Sequence, residues 1–389
     1  MIFKSRYYHA ILKSLQLSAL VLSLSACGGS GGSSSNSRES LNGAQSLRGE
    51  LQQYRFEQPG LPARDYLVYR PQSGLSGGML VYLHGCNQTA EEAAIGTRWN
   101  ELAEETGWLI VYPDQKDPNE SAVEDQASDH AADGNGARCW NWFRPEHQQR
   151  GSGEPATIAG ITQFVAETEG VDPDHIIVMG LSAGGIMAGT MAASYPDLYA
   201  GVAIVAGCNY PACADATGEL AFQAMGEQAQ RMPVIVFHGT ADNIQPYAHA
   251  LPTAQQWLGT NDLIDDGIRN QSVPSQANST ETSGFENRDD NSISDIEALC
   301  VRGANNPCLA GALGFEDSYP TTIERYVDAN NCPLLDFWTI HGLAHNYPNG
   351  NTEASFTDPT GPDISRATYN FFINQHRDGA IAQQQATCE

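Results

Sequence analysis

The segment 176–185 reads IIVMGLSAGG and decides the fold. Its first residues form a continuous apolar run that is typical of a buried strand, and residues 185–194 have helical periodicity. Between them, Gly180-Leu181-Ser182-Ala183-Gly184 follows the pattern Gly-x-Ser-x-Gly, whose glycines permit a tight turn that exposes the serine hydroxyl. We therefore predict a strand–turn–helix unit in which Ser182 is a nucleophile at the positive end of a helix dipole.

The rest of the chain repeats this alternation of strands and helices. Apolar runs predict buried strands at 79–83, 108–112, 175–179, 202–205, 233–237 and 335–340. Helical periodicity is found at 90–106, 156–169, 185–194 and 365–376. This order predicts an α/β fold with a doubly wound, mostly parallel central sheet and helices on both faces.

A serine at its ordinary pKa needs a base, and that base needs an acid that orients it. Where a strand–turn–helix carries the serine, the acid and then the histidine follow it in the chain. Asp242 comes just after the predicted strand 233–237, and His345 lies in the loop after strand 335–340. We therefore predict Asp242 as the acid and His345 as the base.

Alternatives to these two residues remain open at this point. Asp242 could instead cap a turn, and His341 could replace His345 as the base. His341 and His345 have the i, i+4 spacing of zinc ligands on a helix, but Gly342 and Pro348 argue against a helix there and no third ligand is evident. No metal is therefore predicted, and His238 is expected to be structural.

The tetrahedral intermediate of acyl transfer needs two N–H donors. One is expected from the amide of Ala183, directly after the nucleophile. The other is expected from the loop 84–88, HGCNQ, which follows strand 79–83. We predict the Cys86 amide as that second donor.

Cysteine usage indicates an oxidising compartment, since the chain has nine cysteines. If Cys27 carries a lipid, eight cysteines are left as disulfide candidates, and sequence alone does not choose among their pairings. Proximity favours Cys208 with Cys213 and Cys300 with Cys308. Longer links would then join Cys86, Cys139, Cys332 and Cys388.

The charge of the chain excludes one class of partner. The 389 residues contain 20 Lys and Arg against 46 Asp and Glu, which gives a net charge of −26. Because this field repels phosphate backbones, no nucleic-acid partner is expected. Eleven of the acids lie between Asp262 and Asp317, within a polar segment at about 259–320 that could be a lid over the site or a surface excursion without a role.

The N-terminus has the features of an export signal. Basic residues precede an apolar run at 15–24, which is too short to span a bilayer, and the run ends in Leu24-Ser25-Ala26-Cys27. We predict a lipoprotein signal peptide at 1–26, a lipid anchor on Cys27 with a Gly/Ser-rich tether at 27–45, and a catalytic domain at 46–389. The protein would then be exported and held at the outer membrane or cell surface, or released, with no other membrane contact. An ordinary signal peptide followed by a chance cysteine is the alternative.

Four segments together carry a family resemblance. In chain order they read LHGCNQ at 83–88, RCWNWF at 138–143, GLSAGG at 180–185 and HGTAD at 238–242. This set resembles the esterase family of polyhydroxybutyrate depolymerases, relatives of feruloyl and acetylxylan esterases within the α/β-hydrolase superfamily. The resemblance covers roughly residues 64–257 and 335–349.

The resemblance implies an α/β-hydrolase fold, and this chain departs from the family pattern by a long acidic insertion before the histidine. It also implies Ser182, Asp242 and His345 as a triad, the Cys86 and Ala183 amides as oxyanion donors, and no cofactor. A Cys86–Cys139 disulfide is implied as well. Trp140 and Trp142 would contact the substrate, although each could equally be a core residue.

The substrate is expected to be a short-chain polyhydroxyalkanoate, as polymer or oligomer. Feruloyl or acetyl esters of plant polysaccharides are the alternative substrates. A surface lipoprotein that binds without catalysis, or a serine peptidase on the same fold, would be a different class of function.

Overall fold

The main sheet is built from ten strands within residues 48–115, 137–284, 318–328 and 331–375, the part of the chain that the computed structural model describes. These strands are β1 Glu50–Phe56, β2 Arg64–Arg70, β3 Met79–Leu83, β4 Leu109–Pro113, β5 Ile176–Leu181, β6 Gly201–Val205, β7 Val234–Gly239, β8 Ser279–Ser283, β9 Thr321–Val327 and β10 Pro333–Ile340. Their order across the sheet is β1-β2-β4-β3-β5-β6-β7-β10-β9-β8. A separate two-stranded sheet pairs β11 Tyr347–Pro348 with β12 Thr357–Asp358.

The centre of the main sheet is parallel and its two flanks are antiparallel. Strands β4, β3, β5, β6, β7 and β10 run parallel, whereas β1, β2, β8 and β9 pair antiparallel. Every residue of β3 to β7 is buried, which agrees with the continuous apolar runs of these strands. The predicted α/β class with a mostly parallel sheet is therefore confirmed.

Helices cover both faces of this sheet. They are α1 Ala90–Gly96, α2 Trp99–Thr106, α3 Gly153–Glu169, α4 Ala183–Ser194, α5 Glu219–Met225, α6 Ala250–Asp266 and α7 Ile364–Phe372. One core cluster joins Val81 and other strand residues to apolar residues of α3 to α6. The second joins Leu80 and its neighbours to α1, α2 and α7. Side chains of successive residues in one strand thus pack on opposite faces of the sheet, as the pleat requires.

Two predicted elements differ from the structure. The single helix expected at 90–106 is divided into α1 and α2, because Arg98 adopts a left-handed backbone conformation with φ 58°. A structureless segment was expected from about residue 259, but α6 extends through Gly259 to Asp266, and β8 follows at 279–283. A glycine is required at position 259 of this helix because a Cβ there would lie 2.1 Å from the Thr217 carbonyl oxygen.

Several predicted features lie outside the described residues. They include the signal peptide, Cys27 and its tether, residues 285–317 of the acidic segment with Cys300 and Cys308, and Cys388. Across the described ranges, no helix combines the length and apolar character needed to span a bilayer.

Candidate active site

Ser182 occupies the turn between β5 and α4. Its backbone is held at φ 57° and ψ −122°, a sparsely populated conformation for a residue other than glycine. The surroundings enforce it, because the Ser182 amide donates to the Val205 carbonyl at 2.8 Å and the Ser182 carbonyl accepts from the Ile186 amide at 3.0 Å. The residue is only partly buried, so its hydroxyl is presented at the carboxyl edge of the sheet.

The two glycines that flank Ser182 are required by close backbone approach. A Cβ on Gly180 would lie 2.3 Å from the Gly184 carbonyl carbon, and one on Gly184 would lie 2.0 Å from the Leu83 carbonyl oxygen. The turn is therefore packed directly against the end of β3. The Gly-x-Ser-x-Gly pattern thus reflects both a tight turn and a crowded strand end.

Asp242 and His345 meet at the same edge of the sheet. The His345 Nδ1 donates to Asp242 Oδ2 at 2.7 Å, and both side chains are buried. The other carboxylate oxygen, Asp242 Oδ1, accepts from the amides of Ile244 at 3.0 Å and Gln245 at 2.8 Å. Since Nδ1 carries the proton, the His345 Nε2 is the lone-pair nitrogen that can receive one.

The other two histidines near this edge have different partners. His341 Nε2 lies 3.0 Å from the Thr322 hydroxyl on β9. His238 is buried, which lowers its pKa, and its Nε2 donates to the Gln245 carbonyl at 2.8 Å while lying 3.6 Å from Asp242 Oδ2. The structure thus pairs His345 with Asp242, and His238 supports the loop that carries this carboxylate.

Within the described residues, one group of side chains has the composition of a metal site. It consists of Cys208, Cys213 and His249, whose potential ligand atoms lie within 4.8 Å of one another. Cys208 and Cys213 are joined in a disulfide, the pairing that proximity favoured, so their sulfurs are not thiolate ligands. This group therefore does not fit a metal ion in its oxidised form.

The loop 84–88 lies directly against the nucleophile. A Cβ on Gly85 would be 3.5 Å from the Ser182 Cβ. The next residue, Cys86, is bonded to Cys139 across 53 positions of sequence, as the resemblance implied. Among the described residues, neither the Cys86 amide nor the Ala183 amide donates to another group, so both are available to an oxyanion.

His84 fixes the orientation of the Cys86 amide. Its Nε2 accepts from the Gln115 amide at 3.0 Å, so its Nδ1 carries the proton and donates to the Gly85 carbonyl at 2.8 Å. Burial lowers the pKa of His84 to about 4, which keeps the ring neutral near pH 7. Because C=O and N–H of one trans peptide point in opposite directions, the Cys86 N–H points away from His84.

A buried ion pair supports the loop that carries Cys139, the disulfide partner of Cys86. Arg64 Nη2 lies 3.2 Å from Glu154 Oε1, and both side chains are inaccessible to solvent. Glu154 also accepts from the Asn141 amide at 2.7 Å, from Asn141 Nδ2 at 2.9 Å and from Gln115 Nε2. One carboxylate therefore holds the chain on both sides of the Cys139 loop.

The two predicted substrate-binding tryptophans differ in exposure. Trp140 is completely buried and its indole N–H donates to the His84 carbonyl at 3.0 Å. This burial contradicts the predicted contact with substrate and makes Trp140 a structural support of the loop 84–88. Trp142 is partly exposed and packs edge-to-face on Phe143, which is 50% exposed.

Sequence reasoning missed the polar residues that hold these loops. Gln88, Gln115 and Glu154 are buried, and their partners are distant in the chain. Only Gln88 belonged to a quoted motif. Cys332 is disulfide-bonded as well, in agreement with its place among the candidates.

A comparison of the chain with protein-family models matches residues 65–272 to Esterase PHB depolymerase. The chain belongs to this family. The predicted family is thereby confirmed, and the match spans the nucleophile turn, the loop 84–88 and Asp242.

Curated relatives of the family are similar to much of the chain. Poly(3-hydroxyalkanoate) depolymerase C of Paucimonas lemoignei is 28% identical over 77% of this chain and 59% of its own length. The chain thus spans less than two thirds of that relative. Feruloyl esterase B of Neurospora crassa is 28% identical over 51% of this chain and 70% of its own length.

Among solved structures, the acetyl xylan esterase from Aspergillus awamori aligns with a TM-score of 0.52 and 18% identity. The alignment covers 83% of this chain and 99% of that one. It supports the fold, which is that of the α/β-hydrolase esterases, as the resemblance implied.

Proposed function

We propose that the protein is an exported serine esterase that hydrolyses carboxylic esters through an acyl-enzyme. The observation that carries this proposal is the 2.7 Å bond between Asp242 and His345, at the same sheet edge as the strained Ser182 turn. Parallel strands β5, β7 and β10 bring these three residues to one edge because their carboxyl ends lie side by side. Family membership supports the same reaction class.

The reaction follows from these positions. Ser182 Oγ attacks the ester carbonyl carbon while His345 Nε2 takes its proton, and Asp242 stabilises the imidazolium. The Cys86 and Ala183 amides donate to the oxyanion. Collapse of this intermediate releases the alcohol, which receives the proton from His345. Water, deprotonated by His345, then attacks the acyl-enzyme, and the acid leaves as Ser182 regains its proton.

For the substrate, we propose a short-chain polyhydroxyalkanoate, as polymer or oligomer. Two large apolar side chains, here called the rim, are exposed in segments that carry residues of the site: Phe143, four residues after Cys139, is 50% exposed, and Ile244, two residues after Asp242, is 60% exposed. Such a rim suits an apolar polyester, whereas recognition of a hydroxyl-rich saccharide depends on placed polar groups. The depolymerase of Paucimonas lemoignei is also similar to more of this chain than the feruloyl esterase is.

Feruloyl or acetylxylan ester hydrolysis is the second candidate. It is favoured by the alignment of this chain over nearly the whole acetyl xylan esterase from Aspergillus awamori, and by the partly exposed Trp142, whose ring could pack on a feruloyl group. Both candidates use the same triad and differ in the group that the rim accepts.

Product analysis separates the candidates. Purified protein and its Ser182→Ala variant are incubated side by side with polyhydroxybutyrate film, soluble 3-hydroxybutyrate oligomers, methyl ferulate and acetylated xylan. We expect hydroxybutyrate release by the unchanged protein alone. Faster release of ferulate or acetate would favour the second candidate. Absence of hydrolysis by the unchanged protein on every substrate would instead indicate a binding protein without catalysis, and equal nonzero rates for both proteins would refute Ser182 as the nucleophile.

We also propose that the mature protein is anchored by a lipid on Cys27, on the strength of the Leu-Ser-Ala-Cys segment and the Gly/Ser-rich residues after it. Metabolic labelling with a palmitate analogue tests this in cells that express the full chain and its Cys27→Ala variant. We expect label and membrane association for the unchanged chain only. Unlabelled protein of unchanged distribution in both strains would refute the anchor.

A further inference from the structure

Gln88 connects the oxyanion loop to a distant part of the chain. Its buried side chain forms hydrogen bonds with the backbone of two segments: Oε1 accepts from the Gly85 amide at 2.9 Å and Nε2 donates to the Ser355 carbonyl at 2.7 Å. The two bonded segments are 267 residues apart in sequence. The amide thus fastens the loop that carries the Cys86 donor to the segment around residue 355.

The segment around residue 355 also contacts His345, the proposed base. The Phe356 ring lies edge-to-face on the His345 ring, with 6.2 Å between the centroids. The Phe356 carbonyl accepts from the Tyr347 amide at 2.8 Å, two residues after His345. Phe356 has φ 53°, a left-handed conformation that is unfavourable for an aromatic residue and persists only where surrounding contacts enforce it.

We propose that Gln88, Ser355 and Phe356 form a brace that sets the spacing between the oxyanion donor and the base. Gln88 and Phe356 are positioning residues in this brace, since neither takes part in bond making. One end bonds to the Gly85 amide, next to the residue that carries the proposed oxyanion donor, and the other packs on the His345 ring. Because catalysis depends on both groups meeting the same tetrahedral intermediate, the brace acts on transition-state binding more than on substrate binding.

The brace rests on the proposed esterase function, so its test uses a soluble p-nitrophenyl ester. Gln88→Met keeps the size of the side chain and removes both hydrogen bonds, and Gln88→Glu keeps the acceptor and removes the donor. We expect kcat to fall by about 10- to 100-fold in each, with KM within about twofold, because small displacements of reacting groups have effects of this size. Binding of a boronic acid transition-state analogue should weaken by the same factor as kcat.

Two comparisons distinguish positioning from a general loss of stability. Gln230 also donates from its side chain to a backbone carbonyl, that of Pro196, and it is not part of the brace, so Gln230→Met should leave kcat unchanged. Phe356→Tyr should retain nearly full kcat because it keeps the ring, whereas Phe356→Leu should lose as much as Gln88→Met. The double variant Gln88→Met/Phe356→Leu should lose little more than either single variant.

The brace would be refuted if Gln88→Met retained kcat within twofold, or if the two single losses multiplied in the double variant. An equal loss in Gln230→Met would also refute it. Failure of the proposed function has a different signature, because the unchanged protein and Ser182→Ala would then hydrolyse the ester at the same rate.

Discussion

The two halves of the active site are held in different ways. The oxyanion half, residues 84–88 with 139–141, is fixed by a disulfide and by the buried side chains of His84, Gln115 and Glu154. The base half, Asp242 to Gln245 with His345, is fixed by three short bonds to one carboxylate. Buried polar contacts from several segments thus hold the oxyanion half, whereas hydrogen bonds to a single carboxylate hold the base half.

This difference has a consequence for variants. Changes in the oxyanion half should reduce the free energy of unfolding together with activity, since they disturb buried polar groups. Replacement of His345 in the base half should reduce activity with a smaller loss of stability, since its side chain makes one hydrogen bond among the described residues, to Asp242, and packs on the Phe356 ring.

The largest effect is expected in the base half. His345→Ala should reduce kcat by at least about 10⁴-fold, because His238, the other histidine near Asp242, directs its Nε2–H to the Gln245 carbonyl and cannot take the serine proton. The melting temperature should fall less than in Glu154→Gln. His341→Ala is the matched control and should retain activity, since His341 contacts Thr322 instead of Asp242. Greater loss of ester hydrolysis in His341→Ala than in His345→Ala would reverse the assignment of the base.

In the oxyanion half, we expect the free energy of unfolding to depend most on the buried carboxylate of Glu154. Glu154→Gln should reduce the free energy of unfolding by about 3 to 5 kcal/mol, because it leaves the inaccessible Arg64 guanidinium without a countercharge. Urea denaturation measures this loss. Arg366→Gln, which breaks an exposed pair with Glu105, serves as control and should change stability by less than about 1 kcal/mol. Equal losses of unfolding free energy in both variants would contradict the claim that the buried pair stabilises the oxyanion half.

The two disulfides whose cysteines are both described should differ in their contributions to the free energy of unfolding. Cys86–Cys139 closes 53 positions of sequence and Cys208–Cys213 closes five. Loop-closure entropy then predicts losses of about 4 and about 2 kcal/mol when each pair is replaced by serine. Only the Cys86→Ser/Cys139→Ser variant should also lose kcat, since Cys86 carries the amide that we propose as an oxyanion donor. A larger effect of the short disulfide on either quantity would speak against this account.

His84 predicts a pH dependence of the free energy of unfolding that arises in the oxyanion half. Burial lowers its pKa to about 4 in the folded protein, below the ordinary value of 6.5. Between these values the unfolded chain binds the extra proton, so stability decreases as pH falls through this range, by about 2 kcal/mol at pH 4.5. Urea denaturation at pH 7.5 and 4.5 should therefore give a smaller decrease for His84→Gln than for the unchanged protein. Identical decreases would exclude His84 as the cause.

The central strands and the nucleophile turn could be predicted from sequence because their signals are local. Strands β3 to β7 are continuous apolar runs, and Gly180 and Gly184 mark the crowded turn. The flanking strand β8, STETS, has no apolar residue, and it is held by backbone pairing with β9 and by the ion pair between Glu281 and Arg325. Its sequence therefore carried no strand signal.

The supports of the site could not be predicted because their partners are remote. Trp140 is buried in the core, and its indole donates to the carbonyl of His84, 56 residues earlier. Gln88 reaches Ser355, and Glu154 gathers Arg64, Gln115 and Asn141 from three segments. Such contacts exist only once the chain has folded, and the motifs that contain Gln88 and Trp140 do not identify the partners of these residues.

Covalent trapping tests the central claim most directly. The purified protein is incubated with diethyl p-nitrophenyl phosphate and digested, and the modified peptide is identified by mass spectrometry. We predict one diethylphosphoryl group per molecule, on Ser182, with loss of ester hydrolysis in proportion to labelling, and no label in Ser182→Ala. Full ester hydrolysis by protein labelled on Ser182, or labelling of another residue in proportion to lost activity, would contradict the account.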